Sequence, residues 1–235
     1  MRAAGERALP PDVLVLHAPG CTAGGTPWRQ AFTAEGWRGR IMAPDLPGHG
    51  TEPAPLGGSY EQGLAVLWAV RLLQGRSDED APLVVVGELS SGWAATIVAL
   101  AGRAKGLVLV DGLGGPWLSP SQLIGRGRDL LRTIADDPQA VAPAPPSGFD
   151  PRLGHGVPSH GSRSLAEQSA AELAVPVLVV ESKESGVSPD QLEALLPHFS
   201  AAVTTVALPT RSPDSVVPAI AAWARRFWPP ASTSP

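Results

Sequence analysis

Short, almost wholly apolar runs recur along this chain at residues 13–16, 41–43, 83–86, 107–110, 175–180 and 202–208, each followed by a segment long enough for a helix. A strand with one wet face alternates apolar and polar residues, whereas a strand covered on both faces need not. Leu83-Val-Val-Val86 and Leu107-Val-Leu-Val110 are of the second kind. Parallel strands need crossover connections of about a dozen residues or more, and the intervening segments supply them. The pattern predicts an α/β protein: a doubly wound, mostly parallel sheet of about six strands.

Helical spacing falls at residues 27–35, 60–73, 92–103, 165–173, 189–196 and 216–227. Ser59, Ser164 and Ser188 stand where N-caps are expected, and Pro189 suits a first helical position. The stretch 112–164 breaks the rhythm. Its first half, 121–135, reads as a helix and 138–161 is rich in Pro and Gly, so it is expected to form a lid or binding excursion. A chain of 235 residues can close one large core, and no internal repeat divides it. One domain is expected over 1–228, with 112–164 inserted as a cap and the polar tail 229–235 disordered.

Composition narrows the partners. Eighteen basic residues against 22 acidic ones leave a net charge of −4, without a basic stripe, so nucleic acid is not expected. The apolar runs are too short to cross a bilayer, and the first twelve residues, with Arg2, Glu6 and Arg7, do not form a signal peptide. Cys21 is the sole cysteine, which excludes an internal disulfide. A cytoplasmic protein acting on a small molecule, without cofactor or metal, is the expectation; the sequence carries no sign of oligomeric state.

Several segments resemble the α/β-hydrolase superfamily. They are Val13-Leu-Val-Leu-His17-Ala-Pro-Gly20 with Trp28 after it, Ala43-Pro-Asp45-Leu-Pro-Gly48-His49-Gly50, Leu83-Val-Val-Val-Gly87-Glu88-Leu89-Ser90-Ser91-Gly92-Trp93, and Leu107-Val-Leu-Val-Asp111-Gly112. The resemblance covers nearly the whole chain. It implies that the loop at His17 and Ala18 helps form an oxyanion hole, that Leu83–Trp93 is the nucleophile-elbow strand and helix, and that 112–164 is a small cap. The family's usual first two strands would be missing, leaving a trimmed sheet.

In that frame the catalytic constellation is altered throughout. An elbow Gly-x-Ser-x-Gly holds its serine on a strained strand-to-helix turn. Here the same frame reads Gly87-Glu88-Leu89-Ser90-Ser91, and leucine has no nucleophilic atom. A one-residue bulge would instead make Ser90 the nucleophile, with Glu88 two residues before it; otherwise Ser90 and Ser91 simply start the helix. The acid would follow the 175–180 strand, where Ser185 stands in its place. Glu181 and Glu184 are alternatives there, read more simply as solvated loop charges. The base would follow the last strand, but Leu208-Pro-Thr-Arg211-Ser-Pro-Asp214 contains no histidine, and Arg211 stays protonated.

The remaining histidines divide by context. The resemblance gives His17 and His49 roles in loop architecture, and His198 ends a surface helix, where it is solvated or caps the C-terminus. His155 and His160 lie in the cap excursion and are the candidates for acid–base or substrate contacts; two ligands five residues apart, without clear third and fourth partners, do not suggest a metal site. Cys21 reads as a small buried residue. Asp111, a place some members of the superfamily use for the triad acid, has no histidine to orient. The candidate catalytic residues are thus Ser90, Glu88, His155 and His160, and the candidate pocket residues His17, Ala18, Leu89 and Ser91. The expected function is non-covalent chemistry on a small carbonyl or apolar substrate. The alternatives are an esterase or thioesterase working through Ser90, and a non-catalytic, ligand-binding pseudoenzyme.

Overall fold

The computed structural model describes residues 10–21, 23–53, 62–76, 81–112, 163–184 and 193–229. The strands are β1 (Asp12–Leu16), β2 (Ile41–Met42), β3 (Leu83–Glu88), β4 (Gly106–Val110), β5 (Val177–Ser182) and β6 (Val203–Leu208). The helices are α1 (Thr26–Ala34), α2 (Gln62–Leu72), α3 (Ser91–Leu100), α4 (Arg163–Glu172) and α5 (Pro213–Phe227). A 3-10 turn, Leu196–His198, lies between β5 and β6. The strands form one six-stranded sheet in the order β2-β1-β3-β4-β5-β6, every pairing parallel.

Alternation along each central strand divides the core into two layers. Leu14, Leu16, Leu83, Val85, Leu107, Leu109, Val177 and Val179 pack beneath α2, α3 and α4. Their neighbours Val13, Val15, Val84, Val86, Val108, Val110, Leu178 and Val180 pack beneath Trp28 and Phe32 of α1 and Val216, Val217, Ile220 and Trp223 of α5. Both faces are dry, which is why the sequence shows continuous apolar runs instead of alternation. Only the edge strand β6 alternates in burial, with Thr205 and Ala207 exposed. Edge strands are half-wet, and Thr204-Thr205 in that run reflects it.

The expected elements recur within two residues, except that α3 ends three residues earlier than expected, at Leu100, and α5 begins three residues earlier, at Pro213; of the helix expected at 189–196, residues 189–192 lie outside the described residues. Helix α4 begins at Arg163, so Ser164 lies inside its first turn instead of capping it. The caps Ser59 and Ser188, Pro189, the 121–135 helix, nearly all of the 112–164 excursion, and the tail from 230 onward lie outside the described residues. Among the described residues no helix is long and apolar enough to cross a membrane.

Candidate functional site

The chain runs from β1 outward to β2 and then returns to place β3 on the other side of β1. In open parallel sheets a ligand binds at such a switch point, beyond the carboxyl ends of the strands. Two loops diverge there: the one after β1, starting at His17, and the tight turn joining β3 to α3.

That turn is a sharp one. Pairing of β3 with β4 continues without interruption to Glu88 opposite Val110, and Leu89 N–H then donates to Val110 O at 2.8 Å. Leu89 itself has φ 51°, in the left-handed region that costs an ordinary residue about 1–2 kcal/mol. Ser90 follows with φ −64° and ψ −22° as the N-cap of α3. The strand therefore has no bulge: Leu89 occupies the strained position and Ser90 lies one residue beyond it, on the helix. Ser90's side chain makes no capping bond to the helix. Gly87 has to be glycine, because a Cβ there would lie 2.6 Å from Gly92 Cα and 2.7 Å from Ala95 Cβ. Ser91 takes the place of the elbow's second glycine, and its buried hydroxyl donates to His17 O at 2.8 Å, tying α3 to the β1 loop.

The β1 loop is fixed by two buried imidazoles. Leu46 N–H donates to His17 Nε2 at 2.9 Å, so the ring proton sits on Nδ1, which donates to Ala18 O at 2.9 Å. Gly20 N–H donates to His49 Nε2 at 2.8 Å, and His49 Nδ1 faces Leu46 O and Pro47 O at 3.2 Å each. The two rings meet edge to face at 4.7 Å. Burial, reinforced by the neighbouring His49, lowers the His17 pKa to about 4, although its hydrogen bond to Ala18 and the charge of Asp45 oppose the shift. The ring is therefore neutral near pH 7. Both histidines hold loops through these bonds.

Glu88 is the charged group at the centre. Its Oε2 accepts from Ala18 N–H at 3.0 Å and from Trp28 Nε1 at 3.3 Å, and its Oε1 lies 3.8 Å from Arg211 Nε. Desolvation raises its pKa; the Ala18 and Trp28 hydrogen bonds and the Arg211 charge pull it back, and Asp111 adds to the rise. A buried carboxyl with its pKa raised in this way can hold or release a proton nearer neutrality than a free glutamate.

The other amides of the β1 loop also have partners within the protein. Ala18 N–H is committed to Glu88, Pro19 has no N–H, Gly20 N–H is committed to His49, and Cys21 N–H donates to Ala18 O at 3.3 Å. Each N–H from 18 to 21 thus has an acceptor within the protein.

Asp111, likewise in the left-handed region at φ 56°, closes β4 against β5: its Oδ1 accepts from Ser182 N–H at 2.7 Å and its Oδ2 from Ser182 Oγ at 2.6 Å. Ser182 Oγ in turn accepts from Glu184 N–H at 3.1 Å. The aspartate thus fastens neighbouring strand ends. Cys21 is half-buried, not buried as expected, with Sγ 3.9 Å from Gly24 O. His198 ends the 3-10 turn, 3.8 Å from Glu167. The structure brings together His17, Ala18, Glu88, Leu89, Ser90 and Ser91; His155, His160 and Ser185 lie outside the described residues. Sequence reasoning did not find the roles of Trp28 and Arg211 as partners of Glu88, nor the Asp111–Ser182 clasp. The only available signal was an arginine in the place of the expected histidine.

With this architecture the chain has the α/β-hydrolase fold. Among solved structures it is similar to the thioesterase domain from the curacin biosynthetic pathway, at 20% identity and TM-score 0.67, covering 93% of this chain and 92% of that one. It is also similar to a thermophilic esterase from Thermogutta terrifontis, solved with malate bound, at 22% identity and TM-score 0.62 over 94% and 91% of the two chains. A third is NosK from Streptomyces actuosus, at 18% identity and TM-score 0.61 over 94% and 98%. No family model and no curated protein matches the sequence.

Proposed function

We propose that this protein binds a small carbonyl or apolar substrate at the carboxyl ends of β1 and β3 and acts on it without a covalent serine intermediate. The observation that carries this reading is Leu89 at φ 51° in the elbow, with Arg211 on the side where the family's base would stand. A side chain without a nucleophilic atom cannot form an acyl-enzyme, and a guanidinium cannot take a hydroxyl proton. Glu88 is the group positioned to give and take a proton, beside the positive charge of Arg211 that can balance negative charge developing on the substrate. His155 and His160 are assigned to substrate contacts from the cap excursion. The substrate is a small molecule in the cytoplasm, and the acidic balance of the chain does not favour a nucleic-acid partner.

The experiment combines two readouts on purified protein. A fluorophosphonate probe with a short panel of activated esters reports serine chemistry, and hydrogen–deuterium exchange at the α-carbon of cyclohexanone, followed by NMR, reports proton transfer. The expected result is no labelling, no ester turnover, and exchange above background that Glu88→Gln abolishes. Labelling that disappears in Ser90→Ala would sink the reading and establish the second one, an esterase or thioesterase. That second reading is favoured by one observation, the names of the structural neighbours, which include a thioesterase and an esterase. Neither labelling nor exchange would leave a ligand-binding protein without catalysis.

A further inference from the structure

We infer that Arg211 is the recognition residue for a carboxylate carried by the ligand, so that this fold, with Leu89 in its elbow, receives a small organic acid having an apolar body. The inference deepens the proposed function and rests on its placement of the ligand at the carboxyl ends of the strands.

Arg211 follows β6 in the loop leading into α5, and its side chain is 35% exposed. Among the described residues it pairs with Glu88, and that contact is made through Nε. The two terminal nitrogens of the guanidinium, the pair that grips a carboxylate in parallel, lie outside that contact. Glu88 cannot follow Arg211 outward, because its other oxygen is held from behind by Ala18 N–H and Trp28 Nε1. The buried carboxylate therefore works as a fixed anchor that orients the guanidinium through Nε, without engaging its terminal nitrogens. An arginine positioned by a buried acid, on a half-exposed side chain, is suited to planar anions in a way that a lysine is not.

The surroundings select the rest of the ligand. In the elbow, where a hydrolase would present a polar hydroxyl, Leu89 offers a half-buried apolar side chain adjoining Glu88. The backbone of the β1 loop has no uncommitted N–H from 18 to 21 with which to hold an ester or thioester carbonyl. Attraction for an anion thus resides on the Arg211 side, and apolar contact on the Leu89 side. A free acid satisfies both, whereas an ester or amide of the same body leaves the guanidinium without a charged partner.

The test is isothermal titration of the full chain with hexanoate and phenylacetate, with hexanamide and inorganic phosphate as controls. Saturable binding of a carboxylate at least tenfold tighter than hexanamide is expected. Arg211→Gln should weaken it at least tenfold, and Arg211→Lys should weaken it measurably, since lysine loses the paired contact. Because Arg211→Gln removes the partner of a buried acid, circular dichroism establishes that it folds, and the Glu88→Gln/Arg211→Gln double variant provides the same comparison without that acid. Three outcomes would overturn the inference: hexanoate binding no tighter than hexanamide, phosphate binding tighter than either acid, or affinity unchanged in both Arg211 variants. The two readings fail separately. Ser90-dependent fluorophosphonate labelling overturns the non-covalent reading whatever the acids do, and absent carboxylate binding overturns this inference whatever the probe does.

Discussion

At position 89 a leucine stands where a serine elbow would carry its hydroxyl, and on the proposed reading placing a serine there should not confer hydrolysis. On that reading, Leu89→Ser would place a hydroxyl on the left-handed turn without a general base, Arg211 being a permanent cation that cannot take its proton. Hydrolysis of an activated ester by Leu89→Ser is therefore expected to stay within about threefold of the parent, against the factors of 10² or more that an effective general base provides. A hundredfold gain measured with p-nitrophenyl acetate would show that a base reaches the elbow after all. Glu88 gives a second prediction at this scale, through its raised pKa. A carboxyl whose folded pKa lies above its ordinary 4.5 keeps its proton longer in the folded state than in the unfolded one. Stability is therefore lost as pH rises from 4.5 through the folded value and is level beyond it. Glu88→Gln removes this loss while preserving shape, so its melting temperature relative to the parent should rise between pH 4.5 and 8. A difference that stays flat or falls across that range would contradict the assignment.

Elements impose their own requirements at the same site. The β3–α3 connection can turn so sharply only because Gly87 has no side chain where Gly92 and Ala95 approach. Gly87→Ala should cost about 1–3 kcal/mol or more through overpacking against backbone, read from urea denaturation. On the other side of the sheet centre, Ser182→Ala removes the hydroxyl that donates to Asp111 at 2.6 Å. A buried bond to a carboxylate should be worth about 1.5–3 kcal/mol in the same measurement. An Asp111 engaged instead with a catalytic base would show little loss of stability when Ser182 is changed. How much was legible in advance also follows element by element. The strands declared themselves, because sheets covered on both faces need uninterrupted apolar runs, and the β3–α3 turn was recognisable from Gly87 and the resemblance of the segment around it. Helix starts were less clear: α4 opens on Arg163, ahead of the serine expected to cap it, since propensity at a terminus shifts by a residue or two at little energetic cost. The pairing of Glu88 with Arg211 was not legible. It joins residues 123 apart, one at the end of β3 and the other in the loop after β6, and no local spacing encodes such a contact.

For the molecule as a whole, acid should be the weak direction. His17 is held neutral with a pKa of about 4, whereas an ordinary histidine titrates near 6.5. The unfolded chain therefore binds a proton that the folded chain refuses, and stability falls as pH drops from 6.5 towards 4, by at most about 1.4 kcal/mol per pH unit for this one group. Glu88, with its pKa raised above 4.5, acts in the opposite sense and softens the fall. Chemical denaturation at pH 7 and pH 5 should show the parent less stable at pH 5. In His17→Gln the slope should flatten, at the expense of the bonds His17 makes to Leu46 and Ala18. Finally, the left-handed turn at residue 89 is present although no attacking atom occupies it. Its conformation is demanded by the way β3 hands over to α3, and so it belongs to the frame and not to the chemistry. The elbow is a socket whose fitting can be exchanged, and a fold of this kind can pass from one chemistry to another by changing what stands in the socket while the sheet, its helices and the loops at their ends remain as they were.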